Sequence, residues 1–561
     1  MAHVRAEQPL TRHRIVQGMV LLALFGVVLY GNSLKGKLFW DDEETVVQNV
    51  FVRSPSYLKE IFLNTYHAGA GKQFNSYRPL ATASFLLDYR FWRLQPLGYH
   101  LTNVLLHIAN AWLVLLIFYR LFGNSAVSFL AAALFLIHPI NTEAVNYVSN
   151  RTDLLLLFFV LYGFLSYILY RAHNRIVFLA GCLACYLGAV FSKESGLVFP
   201  LFCLVYELFF KTAPRKTPVP FILLCAAIAI GYLLLRADVL RHAHLGFLGP
   251  GVSSGQEFQH LGLRFLVFAK AWLIYLRLFF FPVGLHMGYD NPVARSVFDA
   301  GGWLAAGLFC SFVGFALWWG RKEKPVAFGM AWFLLGLLPV SGIVPLGNVI
   351  GEHYIYLASP GFFLAAAAVW MRFLDGQRVR SIRPALVGVG LGVAAALGLL
   401  TVMRNQVWTD PLTFYLDVIR KTERSYKGYS NAGMEYFRLG DTDKAEKYFK
   451  QSLKIYPANP VVLNNMGLIC FKRGDQDGEE SYYRSAIQVR PSYVLAQRNL
   501  TNLYLRQKKY APAVEQIQKV LEYYPYDQGV YKVVQSLPKE FQAKVRLPAV
   551  NKSGQNSGGQ P

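Results

Sequence analysis

Apolar stretches long enough to cross about 30 Å of hydrocarbon as a helix recur through the first 403 residues. Lipid offers no partner to a backbone N–H or C=O, so each stretch must satisfy its own polar groups by becoming a helix. The first runs from about Ile15 to Tyr30 behind Arg5, Arg12 and Arg14, and no small-x-small cleavage pattern precedes Lys35. It reads as a signal anchor. Others lie near 100–121, 125–140, 152–170, 176–192, 195–211, 218–236, 301–319, 326–344, 354–371 and 385–403, which makes roughly eleven transmembrane helices. A chain of 561 residues that is 54% hydrophobic and 16% charged is not a string of ordinary soluble domains. The expected fold class is all-α, a polytopic membrane helix bundle.

The segment 263–281 is interrupted by Arg264, Lys270 and Arg277, so it is expected to be interfacial or partly inserted. With it uncounted as a crossing, Arg120, Arg171/Arg175, Lys211/Arg215/Lys216, Arg321/Lys322/Lys324 and Arg372/Arg378/Arg380/Arg383 all fall on the cytoplasmic side. The loops 34–98 and 237–300 and everything after Arg404 then lie on the far side. The net charge of +23 marks these membrane borders, and no nucleic-acid partner is expected. Six cysteines, Cys182, Cys185, Cys203, Cys225, Cys310 and Cys470, are too few for a disulfide scaffold.

Beyond Arg404 the apolar runs stop and Pro457, Pro491 and Pro525 recur 34 residues apart, the period of tetratricopeptide repeats. The first unit sets Tyr429, Ala432, Gly433, Tyr436, Ala445, Phe449, Ser452 and Pro457 in the pattern's aromatic, small and proline positions. The second keeps Leu463, Gly467, Tyr483, Ala486 and Pro491 but places Glu479 where alanine is usual. The third keeps Leu500, Tyr504, Ala513 and Pro525. The expected organisation is a membrane domain over 1–403, a linker over 404–425, an α-solenoid of three repeats and a capping helix over 426–537, and a disordered tail over 538–561. Such an array recognises a peptide or protein, or serves as a spacer.

Polar residues beside apolar helices carry free-energy cost unless paired or wet, so they are the informative ones. Four acids, Asp41-Asp42-Glu43-Glu44, follow the first helix; repulsion between adjacent carboxylates separates their pKa values and can leave one as a base. Arg78 stands before Pro79 and suits an anionic partner. His138, Glu143, Arg151 and Asp153 cluster within sixteen residues; Lys193-Glu194 and Glu352-His353-Tyr354 form further polar knots. Local pairing competes with ligand binding at each. Cys182-x-x-Cys185 lies inside an apolar helix and reads as packing, and no P-loop or G-x-S-x-G elbow is present.

Tyr77-Arg78-Pro79-Leu80, His100-Leu101-Thr102-Asn103-Val104-Leu105-Leu106-His107, His138 to Val145, Arg151-Thr152-Asp153-Leu154, Lys193-Glu194-Ser195-Gly196, Glu352-His353-Tyr354-Ile355-Tyr356-Leu357 and Arg404-Asn405 with Trp408 resemble the transmembrane and tetratricopeptide-repeat protein O-mannosyltransferases of the GT-C superfamily. The resemblance implies transfer of mannose or a similar hexose, with inversion, from a polyprenyl- or dolichyl-phosphate carrier to Ser/Thr hydroxyls of a protein held by the repeats. Asp41-Asp42 match the family's paired acids, so either is the candidate base. Arg78, Arg151 and Lys193, with His138 as auxiliary, become candidates for receiving the leaving phosphate, and Glu143, Glu352 and His353 join the donor-binding set. No metal ligands and no cofactor are assigned, and dependence on a divalent metal stays open. The array is shorter than in animal members, and Asn141 stands where histidine is common. Competing expectations are a catalytically inactive repeat scaffold or assembly factor, and a lipid-linked saccharide transporter, which would place charges deep within several helices. Localisation follows as a bacterial inner membrane with periplasmic repeats, or an endoplasmic-reticulum membrane with lumenal ones.

Overall fold

A computed structural model describes residues 9–210, 219–243, 245, 260–289, 296, 298–320, 322–344, 349–523 and 528–547, without the side chains of 9–12 and 528. Arg5, Lys211, Arg215, Lys216, Arg321, Pro525 and the end from Asn551 lie outside the described residues, as does the side chain of Arg12. Regular structure among the described residues is entirely helical. Two units divide at Asp410/Pro411.

The first unit is an integral membrane bundle. Among the described residues six helices are long and apolar enough to cross a bilayer: His13–Lys35, Pro96–Phe122, Val148–His173, Val219–His242, Ala300–Gly320 and Arg383–Val407. Each of the eleven apolar stretches contains helix, yet not each is a full-length crossing. The stretch at 125–140 breaks where His138 adopts extended backbone and Pro139 opens a new turn, so that Ser125–Ile137 and Pro139–Asn146 meet at 54°. Thirteen residues rise only about 20 Å, too little to span alone. The stretch at 195–211 is an α-helix only over Phe199–Phe209. It follows a tight turn at Glu194–Val198, where a Cβ on Gly196 would stand 2.6 Å from the Ala189 carbonyl carbon.

Close approach of backbones packs this bundle in the absence of a strong hydrophobic drive in lipid. Helices Lys324–Leu337 and Ser359–Leu374 touch through Gly329 and Gly361, where an added Cβ on Gly361 would lie 2.4 Å from the Gly329 carbonyl oxygen. In Leu261–Phe280 two of the interrupting charges have partners: Arg264 donates to the Ile343 carbonyl at 2.9 Å, and Lys270 pairs with Asp299. Its Leu266, Trp272, Tyr275 and Leu278 are buried.

Polarity is sorted along the bundle. Helices Pro96–Phe122, Arg151–His173 and Ser359–Leu374 carry Arg120, Arg171 and Arg372 in their last turns. Their starts, with His100, Arg151 and the nearby Glu352-His353, lie at the other end. Asn32 donates to the Val402 carbonyl and Asn405 to the Leu29 carbonyl, each at 2.9 Å, so the ends of the first and last helices meet there too.

The second unit pairs Tyr426–Arg438 with Thr442–Ile455, Pro460–Arg473 with Gln476–Val489, and Val494–Arg506 with Tyr510–Tyr523. Gly433 sits under Phe449 and Gly467 under Tyr483, the small-against-aromatic contacts that repeats need. Glu479, in the alanine position, is buried and pairs with Arg506 at 2.6 Å, which stitches the second unit to the third. Two segments differ from expectation. Most of the linker is a helix, Pro411–Lys421, because Phe414, Tyr415 and Val418 share a face that buries before the first repeat. The start of the tail folds as well: Leu537 and Val545 are buried with the last repeat, Phe541 packs against them, and Gln518 holds both backbone groups of Arg546.

Candidate active site

Adjacent acids take different places because the loop after the first helix is held from three sides. Lys37 bonds Asp410 at 2.8 Å and its N–H reaches the Thr409 carbonyl. Trp40 has φ +60°, strained for a bulky side chain, with its ring 6.3 Å from that of Tyr147. Asp42, 1% exposed, accepts from the Ser149 N–H at 2.8 Å and hydroxyl at 2.6 Å, and from the Phe39 N–H at 3.4 Å. Burial pushes its carboxyl up to about 7 in spite of these bonds. Asp42 is an anchor between the loop and the turn Val148–Asn150.

Asp41 is only half-buried. Its N–H donates to the Tyr147 hydroxyl at 3.1 Å, which places that hydroxyl beside the carboxylate. Burial raises its pKa, Tyr147 lowers it, and Glu44, Lys72 and Arg78 act through their charge. Glu44 is paired with Lys72. Both acids are shifted upward, and burial, not mutual repulsion, is the first cause at each.

Facing Asp41 is a cationic group. Arg78 contacts Glu194 at 3.3–3.4 Å, with side chains 24% and 27% exposed, and lies 5.8 Å over the Tyr66 ring. Glu194 also feels Arg236 and Lys193; burial raises its pKa, but Arg78 and Arg236 outweigh that and leave it below the ordinary value. Lys193 grips both oxygens of Asp153 at 2.8 Å beside the Tyr354 ring. Arg78, Arg236 and Lys193 against Glu194 and Asp153 leave one positive charge in excess. His67 registers it: burial first, then Arg78 and Lys72, lower its pKa to about 4, so it is neutral.

Arg151 is elsewhere. Fully buried, it pairs with Asp88 at 2.6 Å, donates to Asn103 at 2.8 Å and the Tyr99 carbonyl at 2.9 Å, and lies 4.5 Å over Phe85. All its donors face protein groups, so it clamps three helices together and is withdrawn from phosphate contact. His138 is likewise structural: its Nδ1 accepts from the Ile140 N–H, leaving Nε2 to donate to the Phe279 carbonyl at 3.1 Å. That bond ties the helix break to Leu261–Phe280.

The third group is a carboxylate knot. Glu143 meets His353 at 2.5 Å and accepts from the Glu352 N–H at 3.0 Å, while Glu352 accepts from the Tyr289 hydroxyl at 2.8 Å. Tyr354 lies within electrostatic reach of Glu143, Arg78 and Asp153, which joins this knot to the cations. The structure thus brings Asp41, Arg78, Lys193, Glu143, Glu352 and His353 to one end of the bundle, with Asp42, His138 and Arg151 in supporting positions. Sequence reasoning missed Tyr66, His67, Lys72, Tyr147, Arg236 and Tyr289, which sit in no motif; for Arg236 an arginine inside an apolar run was a signal. Among the described residues no group of three His, Cys, Asp or Glu side chains is arranged to hold a metal.

The tetratricopeptide repeat profile matches residues 426–459. "Protein O-mannosyl-transferase TMTC3" of Mus musculus is 28% identical over 468 residues, covering 76% of this chain and 50% of that protein. "Protein O-mannosyl-transferase F38B6.6" of Caenorhabditis elegans is 26% identical, covering 80% of this chain and 64% of its own length. The chain thus spans about half to two thirds of the curated relatives it matches. Among solved structures, ArnT from Cupriavidus metallidurans bound to undecaprenyl phosphate aligns with 15% identity and TM-score 0.39, covering 83% of this chain and 79% of that one.

Proposed function

The chain being a relative of the transmembrane and tetratricopeptide-repeat proteins named protein O-mannosyl-transferases, we propose that it is a membrane glycosyltransferase. It moves mannose or a similar hexose from a polyprenyl-phosphate carrier to Ser/Thr hydroxyls of a protein acceptor, on the non-cytoplasmic face. The observation that carries this is a half-buried carboxylate, Asp41, opposed to a cluster with one excess positive charge around Arg78.

The chemistry requires both halves. An acceptor hydroxyl has a pKa far above neutrality, so a carboxylate must take its proton as it attacks the anomeric carbon. Asp41 is the base; Asp42, closed off by Ser149, is not. The departing phosphate develops charge, and preorganised cations lower the barrier to its formation. Arg78 is the principal donor, because its long, partly exposed contact with Glu194 exchanges for phosphate at little cost. Lys193, locked on Asp153, adds its charge from behind. Glu143, Glu352 and His353 border the sugar. The isoprenoid tail enters from lipid beside Leu261–Phe280, and the repeats bind the acceptor polypeptide. Positive residues at the bundle's opposite end favour the proposed orientation.

Glycopeptide mass spectrometry of cells with and without the chain tests the proposal. Hexose on Ser/Thr of a defined protein set should vanish with the chain; an unchanged glycopeptide profile would sink it.

A further inference from the structure

Asp41 owes its place to one phenol. The Tyr147 hydroxyl accepts the Asp41 backbone N–H at 3.1 Å, so it fixes the main chain and lies beside the same residue's carboxylate, whose pKa it lowers. Its own position is set by stacking. The Tyr147 ring, 2% exposed, lies 5.6 Å from the Trp408 ring at 26°, and Trp40 flanks it at 6.3 Å. Trp408 is in turn buried against Phe39 at 6.2 Å and under the Arg404 guanidinium at 5.8 Å. The residue preceding Asp41 is the strained one, Trp40 at φ +60°, a conformation that persists only where the surroundings over-determine it.

From this geometry we infer that Tyr147, braced by Trp408, is the positioning residue of the proposed base: it holds the Asp41 main chain through its N–H and sets the phenol beside the Asp41 carboxylate. The inference rests on the function proposed above. A carboxylate held in a partly apolar pocket drifts toward its neutral form, and a donor aimed at the charged form opposes that. The groups facing Asp41 are Asp42 and Glu44 from its own loop, Lys72 and Tyr66 from the following segment, Arg78 at the head of Pro79–Trp92, and Tyr147. Lys72 is engaged by Glu44 and Arg78 by Glu194, whereas the Tyr147 hydroxyl is held on the Asp41 N–H, beside the carboxylate.

The sign follows. Removing the hydroxyl raises the Asp41 pKa, so the acid limb of transfer, where activity falls as the base protonates, moves to higher pH, and the loss is largest below neutrality. Tyr147→Phe in the full-length chain keeps the ring and its stack. Infrared difference titration against Asp41→Asn, in nanodiscs, reads the Asp41 carboxylate without any substrate; transfer from polyprenyl-phosphate mannose to a Ser/Thr peptide is followed across the same pH range. The titration midpoint should rise by about one unit, with transfer reduced about tenfold on the acid side and recovering at alkaline pH. Trp408→Phe, which keeps the hydroxyl but loosens its support, should shift both in the same direction by less. A midpoint unmoved in both variants overturns the inference while leaving the function standing. A midpoint that rises without the acid limb following shows that Asp41 is not the base and overturns the inference, whereas no transfer by the unsubstituted chain at any pH would overturn the function.

Discussion

Arginine at two positions shows how burial divides similar residues between duties. Arg151 is completely enclosed with Asp88, whereas the Arg78–Glu194 pair is about a quarter exposed and longer. Removing one partner of a buried pair leaves an uncompensated charge, so Arg151→Ala should destabilise the membrane unit by about 3–5 kcal/mol. Arg78→Ala should cost less than about 1 kcal/mol in stability but sharply weaken donor affinity. Thermal melting in detergent and the apparent KM for the lipid donor separate the two; equal stability losses would contradict the assignment. Which arginine faces ligand was not legible in sequence, since both stand at helix starts. The paired acids were visible as a motif, but the choice between them depends on Ser149 and Tyr147, more than a hundred residues away.

Elements succeed or fail as predicted according to whether their boundary signals are local. The repeats were legible because a 34-residue period and small-against-aromatic positions are written into each unit. Pro411–Lys421 was harder to see: its three amphipathic turns stand outside the 34-residue period that announced the repeats. The break at His138 had a proline to announce it, yet continuous hydropathy on both sides concealed the bend. Under the proposed function the turn Glu194–Val198 matters at this scale, for it sets Glu194 against Arg78 and follows Lys193, which pairs with Asp153. A methyl on Gly196 would press on the Ala189–Val190 backbone, which cannot yield as a flexible side chain would. Gly196→Ala should therefore displace the turn and reduce transfer, with far-ultraviolet helicity retained; transfer at the wild-type rate would show that the turn does not position the site.

Across the whole membrane unit, charge is sorted by end. The helices begin near the acid–cation group and terminate in Arg120, Arg171 and Arg372, so polar chemistry collects at one end and basic anchors at the other. This arrangement suits an enzyme working at a membrane surface better than a transporter, which needs charges along a path through the bilayer. The central claim is that Asp41 removes the acceptor's proton while Asp42 only holds the loop. Sugar transfer from polyprenyl-phosphate mannose to a Ser/Thr peptide by nanodisc-embedded Asp41→Asn and Asp42→Asn tests it most directly. The account predicts a fall of about 10²–10⁴-fold for Asp41→Asn, with Asp42→Asn retaining most activity wherever it stays folded. Transfer by Asp41→Asn at the wild-type rate would contradict it.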